Sequence, residues 1–110
     1  MELLAGATSA NASCAPIIKV GGQSLYAIRF YAKSAEIPFG LLRSRKPFND
    51  PALREELRQR LNDAPGVDMP VAKLELYPSI KNSQLASVAV FDVVVAALDW
   101  FRAAVTASAE

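Results

Sequence analysis

"PIIKVGGQSLYAIRFYA", residues 16–32, sets the fold class. Two runs rich in β-branched and aromatic residues flank Gly21-Gly22, and paired glycines supply the positive φ angles of a tight hairpin turn. In the second run Tyr26, Ile28 and Phe30 alternate with Leu25, Ala27, Arg29 and Tyr31. That spacing predicts a strand with one buried face and one partly exposed face. A hairpin of this kind needs a covering layer, and helices further along can provide it.

"NDPALREELRQRLND", residues 49–63, predicts the first of them. Asp50 is a good N-cap, and Pro51 falls at the first helical position, where its missing N–H costs nothing. Leu53, Leu57, Leu61 and Ala64 recur at helical spacing as a narrow apolar stripe, and Pro65-Gly66 ends it. The second helix runs from about Gln84 to Ala107. On a helical wheel Asp92, Asp99, Thr106 and Glu110 share one face, and Val90, Val94, Ala97, Phe101 and Val105 lie opposite. The β-branched "SVAVFDVVV" leaves a strand start open there. Two aspartates interrupt the segment, so a membrane span is not expected.

Two further strands are expected. "EIPFGLL" (36–42) reads as an edge strand, since Pro38 removes a ladder donor. "PVAKLELYP" (70–78) alternates between prolines, with "YPSIKNSQ" after it as loop. The predicted fold class is α+β. A small antiparallel sheet of three to four strands carries two helices on one face, in the order β-β-(β)-α-β-α. Residues 1–15 are read as a flexible arm, and residues 16–110 as a single domain.

With no histidine and only Cys14 as a thiol, the chain lacks the commonest general base and metal ligand. Triads, Cys-His dyads and histidine-ligated metals are excluded, and no metal or cofactor is expected. A lone thiol suits a reducing compartment, so the cytoplasm is the expected location. Glu2 and a short Leu3–Ala5 apolar run do not make a signal peptide. The sequon Asn11-Ala12-Ser13 would matter only in a secreted protein.

Twelve basic and eleven acidic residues give a net charge of +1, but the charge is uneven. Residues 29–60 hold eight basic and four acidic side chains, and residues 61–110 hold three and six. "RSRK" (Arg43, Arg45, Lys46) precedes the helix carrying Arg54, Arg58 and Arg60, and Phe39 and Phe48 flank the loop. Arginines beside an aromatic ring could bind unpaired bases. Against that, Glu55–Arg58 and Glu56–Arg60 are spaced to pair along the helix and neutralise it. Asp92 and Asp99 lie roughly 10 Å apart along a helix, too far to share a proton. Lys73-Leu74-Glu75 reverses the order of a nuclease motif. No catalytic residue is assigned.

The expected function is therefore non-enzymatic protein association, as a homodimer or a partner-binding module. The C-terminal helix is apolar over more of its circumference than one sheet face covers. Val90, Val94, Trp100 and Phe101 are the candidate interface residues, although Trp100 could equally cap the core. A nucleic-acid-binding accessory protein using Arg43, Arg45, Lys46, Arg54 and Arg58 is the alternative. A small-molecule pocket between sheet and helices is the third reading.

Overall fold

The computed structural model describes residues 2–5 and 14–109, and shows an α+β fold with antiparallel strand pairing throughout. Its strands are β1 (Glu2–Ala5), β2 (Cys14–Val20), β3 (Gln23–Leu25), β4 (Arg29–Phe30), β5 (Ser34–Glu36) and β6 (Ser79–Lys81). Its helices are α1 (Phe39–Leu42), α2 (Pro51–Asn62), α3 (Asn82–Leu85) and α4 (Val88–Ala109). A 3-10 turn spans Val71–Glu75. The sheet runs β1-β2-β4-β5-β6, with β3 also paired to β2. The sequon and Glu110 lie outside the described residues, as does the Cys14 side chain.

The hairpin forms as its glycines require, with φ of 56° at Gly21 and 80° at Gly22. The run after it is not one strand, however. Ile18 faces Leu25, and Cys14 faces Phe30. Between those pairs β2 advances four residues while the opposite chain advances five. Residues 26–28 leave the ladder at a bend, and the surplus residue there breaks strict alternation. Ala27 and Ile28 are consequently both buried, instead of pointing to opposite faces.

Other expectations are corrected. Glu2–Ala5, read as part of a flexible arm, pairs antiparallel with residues 14–17 of β2. The sheet has six short strands among the described residues, where three to four were expected. The edge strand over 36–42 ends at Glu36, and Pro38 leads into α1. A proline is well placed before a helix because it donates nothing to a ladder. The strand over 70–78 is a 3-10 turn, and the pairing moves on to Ser79–Lys81, which had been read as loop. Alternation alone could not hold 70–78 as a strand, since Ala72 and Leu76 are exposed and only Leu74 is partly covered. The segment is fastened instead by Gly40 N–H to the Leu76 carbonyl (3.0 Å) and Ile37 N–H to the Pro78 carbonyl (2.8 Å). A Cβ at Gly40 would lie 2.6 Å from Tyr77 Cε1, so only glycine lets this ring approach.

Both long helices form, but the second, expected from about Gln84, begins at Val88; Gln84 and Leu85 belong to α3, and a turn at residues 86–87 separates the two. The Asp50 carboxylate accepts from Ala52 N–H at 2.9 Å, a cap contributing about 1 kcal/mol. Leu57, Leu61 and Ala64 are buried, and Gly66 turns the chain away at φ 79°. On α4, Val90, Val94, Ala97, Phe101 and Val105 are all buried in one core with the sheet residues Leu25, Ala35 and Ile80. Among the described residues no helix is long and apolar enough to cross a membrane.

Phe48 ties the layers together. It is fully buried and stacks on Phe101 at 4.5 Å between ring centroids, with Trp100 edge-on at 5.8 Å. Phe48→Ala should cost about 3–5 kcal/mol, the usual range for a buried phenylalanine. Urea unfolding checks this, and a loss below 1 kcal/mol would show that the ring is not central.

Candidate functional site

The basic residues of the sequence do not converge on a ligand. Arg45 Nη1 donates to the Ser24 carbonyl, and the Lys46 carbonyl accepts from Gln23 Nε2 at 2.8 Å. These bonds fasten the "RSRK" loop to β3. Arg43 lies 3.8 Å from Glu75, with both side chains well exposed. Phe39 and Phe48 are buried, so neither presents a ring for a base to stack on. A cleft of about 400 Å³ beside the loop is lined by Val20, Gly21, Gln23, Lys46 and Ser108. It abuts the C-terminal end of α4, whose carbonyls disfavour an anion.

On α2 the charges serve the fold. Arg58 holds Glu55 through two hydrogen bonds, one of them Nε to Oε2 at 2.7 Å, and donates to the Met69 carbonyl at 2.8 Å. Asn62, one turn on, both donates to that carbonyl and accepts from Met69 N–H. Together they clamp residue 69 against the helix. Arg60 Nε sits 2.8 Å from Glu56 Oε2, and its guanidinium covers the Trp100 ring at 4.8 Å. Trp100 is half-buried, a lid on the core. Arg54 is 6% exposed, with Nε and Nη1 buried and unpaired among the described residues.

An uncompensated buried charge is unfavourable, and a similar-sized apolar side chain avoids the cost. Arg54→Met should therefore raise stability by about 1–3 kcal/mol in urea unfolding. A loss of stability would mean that the guanidinium has a favourable partner. The Arg58 guanidinium lowers the Glu55 carboxyl pKa from 4.5 to about 2. A depressed carboxyl contributes stability above its ordinary pKa and loses that contribution as pH falls toward the folded value. Acid titration should show weakening between pH 4.5 and 2, and Glu55→Gln should flatten the curve in that window. An unchanged curve counts against the pair.

The apolar surface carries the candidate site. Asn82 opens α3, and its side-chain amide donates to the Tyr31 and Ala32 carbonyls at 3.3 and 2.9 Å. Its own N–H donates to the Lys33 carbonyl at 3.0 Å. Gln84 reaches the Gly66 carbonyl at 3.0 Å. These bonds fasten α3 to neighbouring turns, and a groove of about 330 Å³ lies between α3 and α4. Phe30 of β4 and Val94 line its base, Leu85 and Ala86 one side, and Phe91, Val95 and Leu98 the other. Asn82 is the only polar residue in this lining, and its amide is committed to the 31–33 turn.

Among the expected interface residues, Val90, Val94 and Phe101 are no more than 3% exposed and belong to the chain's own core. The exposed apolar residues are their neighbours on the wheel: Val88 at 75%, Phe91 at 52% and Val95 at 39%. Sequence reasoning divided α4 into a wet acidic face and an apolar face, and passed over the arc between them. The seven-residue recurrence of Val88 and Val95, and of Phe91 and Leu98, marks that arc.

Among the described residues no three His, Cys, Asp or Glu side chains gather to hold a metal ion. Compared with known proteins, the chain matches no family model, no curated protein and no solved structure.

Proposed function

We propose that this chain is a non-enzymatic protein that acts through protein association, using the α3–α4 groove and its exposed rim. The observation that carries the reading is Phe91, half in water at the edge of an apolar groove and flanked by Val88 and Val95. A contiguous apolar patch on a helix marks a contact surface. Covering a phenylalanine fully gains about 2–3 kcal/mol, so a partner that seats on it has a ready driving force.

The groove's volume, about 330 Å³, is also at the lower end of small-molecule pockets. Such pockets orient a ligand with a few convergent polar groups, and this one has only an amide already engaged. An apolar side chain of a protein needs no such anchor, which favours association. We assign the cytoplasm as the setting, because a lone cysteine suits a reducing compartment.

The test is the native mass of a tagged chain expressed in its own host. The wild type should migrate in a complex larger than the 11.8 kDa monomer, and Phe91→Asp should return it to monomer mass with its melting temperature unchanged. A wild type already at monomer mass, or a variant that keeps the complex, would overturn this reading.

A further inference from the structure

A second face of the molecule, on the sheet and away from the groove, carries different chemistry. Phe30, Ala35 and Ile80 are neighbours across β4, β5 and β6 and turn toward the core. The residues alternating with them therefore lie on the opposite side of the sheet. Two rows form there. Arg29, Glu36 and Ser79 stand opposite one another in the first, and Ser34 stands opposite Lys81 in the second. Tyr31 joins the second row, because its N–H donates to the Ser34 carbonyl at 2.8 Å. The Lys33 carbonyl accepts from Asn82 N–H at 3.0 Å, which sets Lys33 beside the end of β6. The Tyr26 ring lies 5.1 Å from the Arg29 guanidinium carbon. Burial, and then the Glu36 carboxylate, raise the pKa of the Tyr31 hydroxyl, with smaller effects from Arg29 and Tyr26. These four side chains are one cluster.

We propose that this outer face of β4–β6 binds single-stranded nucleic acid, with a base stacked on Tyr31 and phosphates held by Lys33 and Lys81. Charge favours a polyanion. Over β4, β5, β6 and the turn at 31–33, Arg29, Lys33 and Lys81 are basic and Glu36 is the one acid. Glu36 is opposite Arg29, which leaves the two lysines, both exposed, without an acid in their own row. Neighbouring strands are about 4.8 Å apart, so Lys81 lies about 10 Å along the row from Tyr31. The flexible lysine stem covers much of that gap, bringing its ammonium near the phosphate of a base resting on the ring. Tyr31 is 36% exposed, enough to offer that ring. An exposed ring flanked by ammonium groups on an open sheet holds unpaired bases without reading their sequence. The "RSRK" loop lacks this combination, since Phe39 and Phe48 beside it are buried.

The small number of charges sets the strength. Two or three phosphate contacts give a log–log salt slope of about −1.5 to −2 for a single strand. Binding is therefore weak, about 1–10 μM at low salt. A duplex keeps its base faces inside the stack, so it can use the lysines but not the ring.

Fluorescence anisotropy of the purified chain with a labelled oligothymidine strand and a labelled duplex, each of about 15 nucleotides in length, tests the proposal across a low-salt series. The wild type should bind the strand at least about fivefold more tightly than the duplex. Tyr31→Ala should weaken strand binding about five- to tenfold, and Tyr31→Phe should retain it, since stacking needs the ring and not the hydroxyl. Lys33→Glu with Lys81→Glu should weaken strand and duplex alike and flatten the salt slope. Arg43→Glu with Arg102→Glu, the same change of charge at exposed positions elsewhere, should have little effect. Phe91→Asp at the groove should leave strand binding unchanged, so this result stands or falls apart from the association reading. Circular dichroism of every variant should match the wild type. The proposal is overturned by a wild type that does not bind the strand at low salt, or that binds the duplex equally well. It is also overturned if Tyr31→Ala binds as the wild type does, or if the Arg43 and Arg102 reversals weaken binding as much as the lysine pair.

Discussion

The stacking of Phe48 on Phe101, closed by Trp100 at the ring edge, is the contact on which the arrangement depends. It locks the segment before α2 to the middle of α4, and so fixes α4's rotation about its own axis. With Phe101 turned inward, Val90, Val94, Ala97 and Val105 must follow, because they share its stripe at helical spacing. The same rotation leaves Val88, Phe91 and Val95 outside. The exposed patch is thus not a local accident of one side chain. It is the remainder of a helix that has more apolar circumference than one core can use.

The basic half of the chain shows how context converts charge into structure. Read in line, Arg43, Arg45, Lys46, Arg54, Arg58 and Arg60 make a positive tract. In the fold, Arg45 is spent on a backbone carbonyl of β3, Arg58 on Glu55 and Met69, and Arg60 on Glu56 and Trp100. Arginine suits these tasks because its planar fork can hold several acceptors at once while its stem packs on apolar surface. Arg54 is the exception, buried with two nitrogens unpaired, and nothing in the structure explains its presence at that position.

The groove beside α4 is bounded by α3, which polar bonds fasten to two turns. Asn82 satisfies two carbonyls of the 31–33 turn, and Gln84 satisfies that of Gly66. Carbonyls in turns have no ladder partner, so side-chain amides that reach them are strong local anchors. The groove is thereby apolar inside and braced from outside. That construction suits the reception of an apolar side chain better than the orientation of a polar metabolite.

Much of the fold was legible in residue order alone. The paired glycines required a hairpin, Asp50-Pro51 and Pro65-Gly66 bounded α2, and the stripe on α4 was identified residue by residue. Each of these rests on local chemistry: φ angles, capping and the 3.6-residue period. The bend at 26–28, the 3-10 turn at 71–75 and the strand at 79–81 were not legible, since they depend on which distant segments are within hydrogen-bonding reach. How far each apolar residue of α4 is covered was not legible for a related reason. The wheel set Val90 on the apolar stripe, but how much of Phe91 beside it stays in water depends on what packs against α4, including Phe48, more than forty residues away in sequence. A helix carries its own periodicity, but the direction in which it faces is set by what packs against it.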